Sequence, residues 1–299
     1  MKIIQSYWSH PDLSTRNQRE FIKLNLNKYM TFALSVLRAK KYYDNIELYT
    51  DHVGKELLID LLELPYTKVH VCLDDLTEKY GEYNHLWALG KIYTYSLQNE
   101  PFFHVDNDAF ICKPLDNFHS APIVAQSFER NNGHHRYNLR KLKKQLSFFP
   151  EALDTDSEML KDGSQYNAGI IGGTDIAFFK EFCQVSFQFV DNNLDMLNTL
   201  KGENICFPCI FEQYLFSCLA YKKGIDVKTL FPLSDTPLDN FNNLLDFHDK
   251  QNVLFIHLIG DHKKEAHNMC LVAETLWQEF PEYYEKIIKK YKTYEVTVS

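Results

Sequence analysis

Two aspartates that directly follow an apolar run are the residues of this chain best placed to do chemistry. Residues 102–105 are mainly apolar, Asp106-Asn107-Asp108 follows them, and a second apolar run starts at Ala109. This pattern is typical of a buried strand in an α/β sheet, whose carboxyl end is where such sheets bind ligands. Two adjacent carboxylates repel each other unless a cation joins them, so the pattern favours Mg²⁺ or Mn²⁺ carrying a phosphorylated substrate. The alternative is a solvated turn between two strands.

A histidine far along the chain could complete such a metal site. Residues 253–256 predict a strand, His257 ends it, and Gly260 and Lys263 follow. Imidazole is a suitable third ligand for Mn²⁺ that carboxylates already hold. Gly260 could offer its backbone N–H to a phosphate, and Lys263 could offer its charge. The alternative for His257 is a structural hydrogen-bonding role.

Three further residues could approach a nucleotide. Tyr7 and Asp51 each end a predicted strand and so fall on the expected ligand edge, although each could equally be a turn residue. Lys91 lies off the apolar stripe of a predicted helix, 85–98, that leads into the Asp106 strand. It could therefore lie near a diphosphate, or it could be an ordinary solvated lysine.

A glycine-rich segment is the other candidate for close contact with a ligand. Asn167 and Gly169 lie in one loop, and the pair Gly172-Gly173 follows. Glycine has no side chain, so such a segment lets a ligand approach the backbone closely.

The elements that must position these residues alternate between strand and helix. Strands are expected at 2–6, 45–50 and 67–73, and amphipathic helices at roughly 20–40 and 55–62. A β-α-β-α-β series predicts a parallel sheet with right-handed crossovers. We therefore predict an α/β fold with a mostly parallel, Rossmann-like central sheet flanked by helices.

The second half of the chain adds helices to this frame. Residues 126–165 predict an insertion with a basic amphipathic helix at 137–149, which could cover the site, bind an acceptor or simply be solvated. Helices are also expected at 178–190 and 211–223, and a closing helix is expected at 272–291.

Composition narrows the function classes. The chain has 299 residues with 45% hydrophobic and 14% aromatic content, enough for a large core. Its net charge of -8 and pI of about 5.8 argue against a nucleic-acid partner. No signal peptide and no run of membrane-spanning length is visible. The seven cysteines are expected to be free thiols in a reducing cytoplasm, with Cys206 and Cys209 structural.

The order of these motifs resembles that of GT-A-fold nucleotide-sugar glycosyltransferases, especially the retaining glycogenin- and galactosyltransferase-like family. That family has a lysine-bearing helix, an apolar strand ending in Asp-x-Asp, an Asn-x-Gly loop, an acidic-Gln helix start and a late His-x-x-Gly-x-x-Lys. The matching residues here are Lys91, Asp106-Asn107-Asp108, Asn167-Ala168-Gly169, Glu212-Gln213, and His257 with Gly260 and Lys263. The resemblance covers about residues 1–265. It departs from the family at Lys264-Glu265, where a Pro-Trp is usual, and at Glu212 and Ala168.

The resemblance implies a single GT-A-like domain over residues 1–299. Its nucleotide-binding half would span 1–115, its acceptor-binding half 116–265 and its helical tail 266–299. The implied activity is metal-dependent, hexosyltransferase-type transfer, retaining in outcome, from a nucleoside diphosphate sugar, expected to be a UDP-sugar. The acceptor could be a saccharide, a peptide or a small molecule.

The resemblance also implies roles for the residues. Asp106, Asp108 and His257 would hold Mn²⁺ or Mg²⁺. The donor would be bound by Tyr7, Asp51, Lys91, Asn167, Gly169, Gly260 and Lys263. Glu212 and Gln213 would face the sugar or the acceptor and, with the two aspartates, serve catalysis; an inverting reaction would use Glu212 as its base.

Two rival functions stay open at this point. A nucleotidyltransferase on a similar sheet usually has a glycine-rich loop with Arg or Lys after its first strand, and residues 7–11 offer none. A non-catalytic carbohydrate- or protein-binding relic of the fold would not need the two aspartates and His257 together.

Overall fold

The computed structural model of the chain describes residues 1–13, 26–130, 134–160, 162–199, 206–231, 245, 247 and 252–296. The strands are β1 (Lys2–Tyr7), β2 (Ile46–Thr50), β3 (Lys68–Val71), β4 (Phe102–Val105), β5 (Ala109–Ile111), β6 (Ile123–Ala125), β7 (Phe128–Glu129), β8 (Gln165–Tyr166), β9 (Ile170–Gly173), β10 (Val227–Thr229) and β11 (Phe255–His257).

The helices follow the same order. The α-helices are α1 (His10–Leu13), α2 (Leu26–Lys40), α3 (His52–Lys55), α4 (Asp74–Tyr80), α5 (Leu89–Ser96), α6 (His134–Gln145), α7 (Ile176–Asp191), α8 (Leu194–Thr199), α9 (Phe207–Cys209), α10 (Leu215–Lys222), α11 (Ala266–Glu279) and α12 (Pro281–Val296). Two π-helices continue α3 and α9, at Glu56–Leu61 and Ile210–Tyr214, and 3-10 helices span Asp116–Phe118, Glu151–Leu153 and Gly260–Lys264. No helix in the described ranges has both the length and the apolar character that crossing a membrane requires.

Among the described residues, seven strands form one sheet in the order β10-β6-β9-β4-β1-β2-β3. The pairs β1–β2, β2–β3 and β10–β6 are parallel, whereas β6–β9 is antiparallel. The predicted class, an α/β fold with a mostly parallel central sheet flanked by helices, is confirmed.

The chain forms two compact units. The first comprises Lys2–Asn84, Val105–Leu115 and Leu238–Ser299, and the second comprises Met1, His85–His104 and Asp116–Pro237.

The first unit is built on β1, β2 and α2. All of β2 and nearly all of β1 are buried, as expected of parallel strands covered on both faces. Helix α2 is buried continuously from Tyr29 to Ala39, because it packs against β5 on one side and against α11 and α12 on another. An ion pair between Arg38 and Glu279 also joins α2 to α11.

The second unit has an aromatic core. Helix α5 packs against α7. The Phe216 ring lies 5.5 to 6.3 Å from the rings of Phe178, Phe179 and Phe182, in edge-on or tilted arrangements that aromatic pairs favour.

The glycine pair packs against neighbouring backbone rather than facing a ligand. Gly172 and Gly173 lie in β9. A Cβ added to Gly172 would lie 2.0 Å from the Phe102 carbonyl oxygen, and one added to Gly173 would lie 2.1 Å from the Pro122 carbonyl oxygen. The expectation that this pair faces a ligand is therefore wrong. Glycine is required here because neighbouring backbone approaches too closely for any side chain.

Several predicted helices have different limits. The predicted closing helix is two helices, because Phe280 leaves the helical conformation immediately before Pro281, which starts α12. The helix predicted at 85–98 begins only at Leu89. The start of the helix predicted at roughly 20–40 lies outside the described residues.

The cysteine prediction is partly wrong. Cys206 and Cys209 form a disulfide, so the expectation of free thiols throughout does not hold for this pair. Their Cα atoms lie 5.5 Å apart at the start of α9, a separation that disulfides commonly span.

Candidate metal centre

Strand pairing brings His257 beside the two aspartates. Strands β5 and β11 are antiparallel, and His257 lies opposite Ala109, the residue after Asp108. The backbone N–H of Leu258 donates to the Asp108 carbonyl at 3.0 Å, which fixes this register. One ligand atom from each of Asp106, Asp108 and His257 lies within 4.8 Å of the others. The proximity expected from the sequence is thus observed, across 149 positions of chain (257 minus 108).

Asp108 is shared between two partners. Its Oδ1 lies 3.2 Å from Nε2 of His257, and its Oδ2 accepts a hydrogen bond from Nζ of Lys263 at 2.9 Å. Burial opposes ionisation of this carboxyl, but the charge of Lys263 and the contact with His257 outweigh it and hold its pKa well below the usual range. Asp108 is therefore a carboxylate held by two nitrogen groups.

Lys263 reaches the site because the chain turns back after β11. Gly260 has a φ of +59°, in the left-handed region that glycine adopts without strain. It starts the 3-10 helix Gly260–Lys264, which carries Lys263 to Asp108.

The turn between β4 and β5 is fixed from two sides. The Asn107 side-chain amide donates to the Ser6 carbonyl at 2.8 Å and so joins the turn to β1. The Ser35 hydroxyl, on α2, donates to the carbonyl oxygens of Ala109 at 2.7 Å and of Asp106 at 3.2 Å. Such support keeps the two carboxylates in place before any ligand binds.

The donor set suits Mn²⁺ or Mg²⁺. The two carboxylates offer hard oxygen ligands, and the imidazole offers one nitrogen. The nitrogen favours Mn²⁺ over Mg²⁺. Ligands about 2.0–2.6 Å from a common ion lie at most about 5 Å apart, and the 4.8 Å limit is compatible with that.

Tyr7 and Asp51 lie where predicted, at strand ends, but their polar atoms contact the chain itself. The Tyr7 hydroxyl donates to Asp12 at 3.1 Å, and the residue is 5% exposed. The Asp51 carboxylate accepts from the N–H and hydroxyl of Ser9 and from the N–H of Gly54, at 2.7 to 2.8 Å, and so caps α3. Their role in nucleotide binding stays a prediction.

Sequence reasoning missed Lys28. Its ammonium forms an ion pair with Asp12 and lies 5.0 Å from the centre of the Tyr7 ring. Burial lowers its pKa, Asp12 opposes this shift, and the charges of Lys263 and Asp108 also act on it. No motif in the sequence marks Lys28, and only the position of α2 against the sheet places it there.

The second unit contains a buried ion pair between two other predicted site residues. Nζ of Lys91 lies 2.5 Å from Oε1 of Glu212 and donates to the Ala168 carbonyl at 3.2 Å. The two side chains are 10% and 0% exposed. Lys91 is therefore not the solvated lysine of the alternative interpretation. Breaking such a pair leaves an uncompensated buried charge, which typically costs about 3–5 kcal/mol.

His104 is a further member of this buried group that the sequence did not reveal. Burial, aided by the charge of Lys91, holds its pKa well below the usual value, so its ring is neutral. The Tyr95 hydroxyl lies 3.5 Å from its Nδ1.

The Asn167 loop is held by its own side chain. Oδ1 of Asn167 accepts from the Gly169 N–H at 2.8 Å, and its amide donates to Glu129 at 2.8 Å. The Gln165 amide donates to Oε1 of Gln213 at 3.2 Å. The substrate-binding roles of Asn167, Gly169, Glu212 and Gln213 stay predictions.

A family model matches nearly the whole chain, at residues 1–290; its description is "Family of unknown function (DUF6734)". The chain belongs to the DUF6734 family. No curated protein matches this DUF6734 chain.

Three solved structures that match the chain at low sequence identity are titled as glycosyltransferases. Mouse xyloside xylosyltransferase 1 shares 11% identity over 86% of the DUF6734 chain and 96% of its own, with a TM-score of 0.45. The bifunctional glycosyltransferase WbbM shares 11% sequence identity over 96% of the DUF6734 chain and 51% of its own chain, with a TM-score of 0.45. The galactosyltransferase LgtC, solved with donor and acceptor sugar analogues, shares 12% identity over 96% of the DUF6734 chain and 100% of its own chain, with a TM-score of 0.46.

Proposed function

We propose that this chain is a metal-dependent glycosyltransferase that moves a sugar from a UDP-sugar to an acceptor. The observation that carries the proposal is the convergence of Asp106, Asp108 and His257, with Lys263 bound to the same Asp108. A turn of purely structural use needs neither a histidine nor a lysine brought from residues 257–263. The motif order of the sequence, which resembles that of glycogenin- and galactosyltransferase-like enzymes, also supports it.

The proposed role of the metal follows from the negative charge that develops on the leaving group. Cleavage of the anomeric C–O bond leaves negative charge on the departing diphosphate. Mn²⁺ or Mg²⁺ held by Asp106, Asp108 and His257 would supply Lewis-acid stabilisation of that charge. Lys263 would add an ammonium to the same oxygens, and the backbone N–H of Gly260 would add a hydrogen bond.

The contact between Glu212 and Lys91 supports a retaining outcome. A retaining reaction needs no dedicated base if the leaving phosphate accepts the acceptor proton, whereas an inverting one would need a carboxylate such as Glu212. Glu212 is fully buried and engaged by Lys91.

The same proposal includes a division of the domain into a nucleotide-binding half (1–115), an acceptor-binding half (116–265) and a helical tail (266–299). It also includes a cytoplasmic location.

Binding of UDP should depend on Mn²⁺. A ligand that binds only the folded state at 100 times its Kd adds about 2.7 kcal/mol of stability, which is roughly 4 °C in Tm for a chain of this size. Thermal shifts should be measured with UDP, GDP and CTP, each with Mn²⁺ and with a chelator. Equal shifts with and without metal would remove the metal from the proposal, and a preference for CTP would favour a nucleotidyltransferase.

Replacing His257 by alanine should weaken Mn²⁺-dependent UDP binding by at least about 10- to 100-fold, since that is the factor typical for losing a residue that merely supports a metal ligand. Calorimetric titration of UDP in the presence of Mn²⁺ measures this directly. His267→Ala, at an exposed position of α11, is the matched control and should bind as the unaltered protein does. Unchanged affinity in His257→Ala would exclude His257 as a ligand.

A further inference from the structure

Helix α2 runs along β1 in the opposite direction, and both belong to the first unit. The Gln5 amide donates to the Ser35 hydroxyl at 2.8 Å, and further along β1 the centre of the Tyr7 ring lies 5.0 Å from that of Phe32. Lys28 precedes Phe32 by four residues and so shares its helix face. Lys28 therefore lies at the carboxyl end of β1, the edge at which α/β sheets bind ligands.

The ammonium of Lys28 is held in place at this edge. Its Nζ lies 5.0 Å from the centre of the Tyr7 ring and 5.4 Å from that of Phe32, and it forms an ion pair with Asp12. The side chain of Lys28 is 25% exposed and that of Asp12 is 39% exposed. Lys28 is thus a positioned ammonium that a ligand can still reach.

The same edge holds the metal centre. The residue before Tyr7 is Ser6, whose carbonyl accepts from the side chain of Asn107 in the turn between the two aspartates. The Ser35 hydroxyl, on the face of α2 that carries Lys28, donates to the Asp106 carbonyl at 3.2 Å. Helix α2 therefore places Lys28 and the metal centre at the same end of β1.

Electrostatics ties Lys28 to the centre as well. Burial lowers the pKa of Lys28, and the carboxylate of Asp12 opposes this shift only in part. The charges of Lys263 and Asp108 also act on Lys28, so its ammonium lies within electrostatic range of both. A further anion beside Lys28 would stabilise its charged form.

A nucleoside diphosphate sugar would supply that anion. Each of its phosphates carries a negative charge. Asp106 and Asp108 would together offset the charge of a divalent ion, and Lys263 would offset one phosphate charge. We propose that Lys28 is a second ammonium that binds the diphosphate of the donor, with Asp12 holding it ready on the Tyr7 ring. The inference rests on the proposed glycosyltransferase function and adds a phosphate-binding residue to it.

The test is calorimetric titration of UDP, with Mn²⁺ present, into Lys28→Met, which removes the charge but keeps the length of the side chain. UDP should bind about 10- to 100-fold more weakly, the factor expected for losing a hydrogen bond between charged groups. Uridine lacks phosphate, so its binding, followed by saturation-transfer NMR, should not change. Lys40→Met is the matched control, because Lys40 is an exposed lysine of α2 whose ammonium donates to the Asp44 carbonyl at 2.9 Å.

A double-mutant cycle separates direct contact from the effect of leaving Asp12 unpaired. Asp12→Asn should bind UDP at least as tightly as the unaltered protein, because it frees the ammonium. The Lys28→Met/Asp12→Asn protein should stay about as weak as Lys28→Met. It also has no unpaired charge at this position, so it remains usable if Lys28→Met alone does not fold.

Three results would overturn the inference. UDP binds Lys28→Met as tightly as the unaltered protein, uridine loses affinity by the same factor as UDP, or the double variant recovers the affinity of the unaltered protein. The last result would mean that Lys28 only offsets Asp12. Absence of Mn²⁺-dependent UDP binding in the unaltered protein would instead defeat the proposed function, so the two failures are distinguishable.

Discussion

Asp108→Asn should reduce sugar transfer by about 1,000-fold, because it removes a charged metal ligand while keeping the size of the side chain. The fold should survive the change. The turn is also held by the backbone bond from Leu258 and by the side chains of Asn107 and Ser35, none of which needs the Asp108 charge. Rates of UDP release from a panel of UDP-sugars, with Mn²⁺ and an acceptor mixture, give the readout.

A second Asp-x-Asp in the chain supplies the control for Asp108→Asn. Asp154-Thr155-Asp156 repeats the spacing, but no apolar strand precedes it, and both aspartates are exposed. Asp156→Asn should leave turnover unchanged. Near-normal turnover in Asp108→Asn would mean that residues 106–108 are only a turn, and the proposed function would lose its main support.

Gly172→Ala should destabilise the fold by at least about 3 kcal/mol, the upper range for overpacking a core. The added Cβ would lie 2.0 Å from the Phe102 carbonyl oxygen and 2.8 Å from the Phe103 Cα. These are backbone atoms of β4, so no side-chain rotation relieves the overlap. Chemical denaturation, followed by circular dichroism, measures the loss.

Gly224→Ala separates this overlap from the general effect of replacing glycine. Gly224 has a φ of +63°, but nothing lies within 4 Å of a Cβ added there. The change should therefore cost only about 1 kcal/mol, the strain of a left-handed backbone. If both variants lost the same stability, the close approach of β4 and β9 would not be what requires Gly172.

The sequence predicted that Asp106, Asp108 and His257 would lie together because each of them follows a local signal. An apolar run that ends in aspartates marks a strand end, and the same pattern precedes His257. The β-α-β periodicity likewise predicted the sheet. What the sequence could not give is the β5–β11 pairing, which joins distant segments and depends on packing rather than on any local pattern.

Long-range contacts also explain what the sequence interpretation missed. The contact of Lys91 with Glu212 spans 121 positions (212 minus 91), and no helical stripe predicts that a lysine is buried. In the sequence, Gly172-Gly173 is equally typical of a ligand-binding loop and of tightly packed strands. The close approach of the β4 backbone to Gly172 distinguishes the two. The strands β6 and β10 have three residues each, too short for a periodic pattern.

The sharing of Asp108 has a consequence for the order in which ligands arrive. Lys263 occupies Oδ2, so it has to loosen its hold before both oxygens of that carboxylate can serve a divalent ion. Under the proposed function, the released ammonium would then be available to a phosphate. This would favour a compulsory order in which the divalent ion binds first and the nucleotide second.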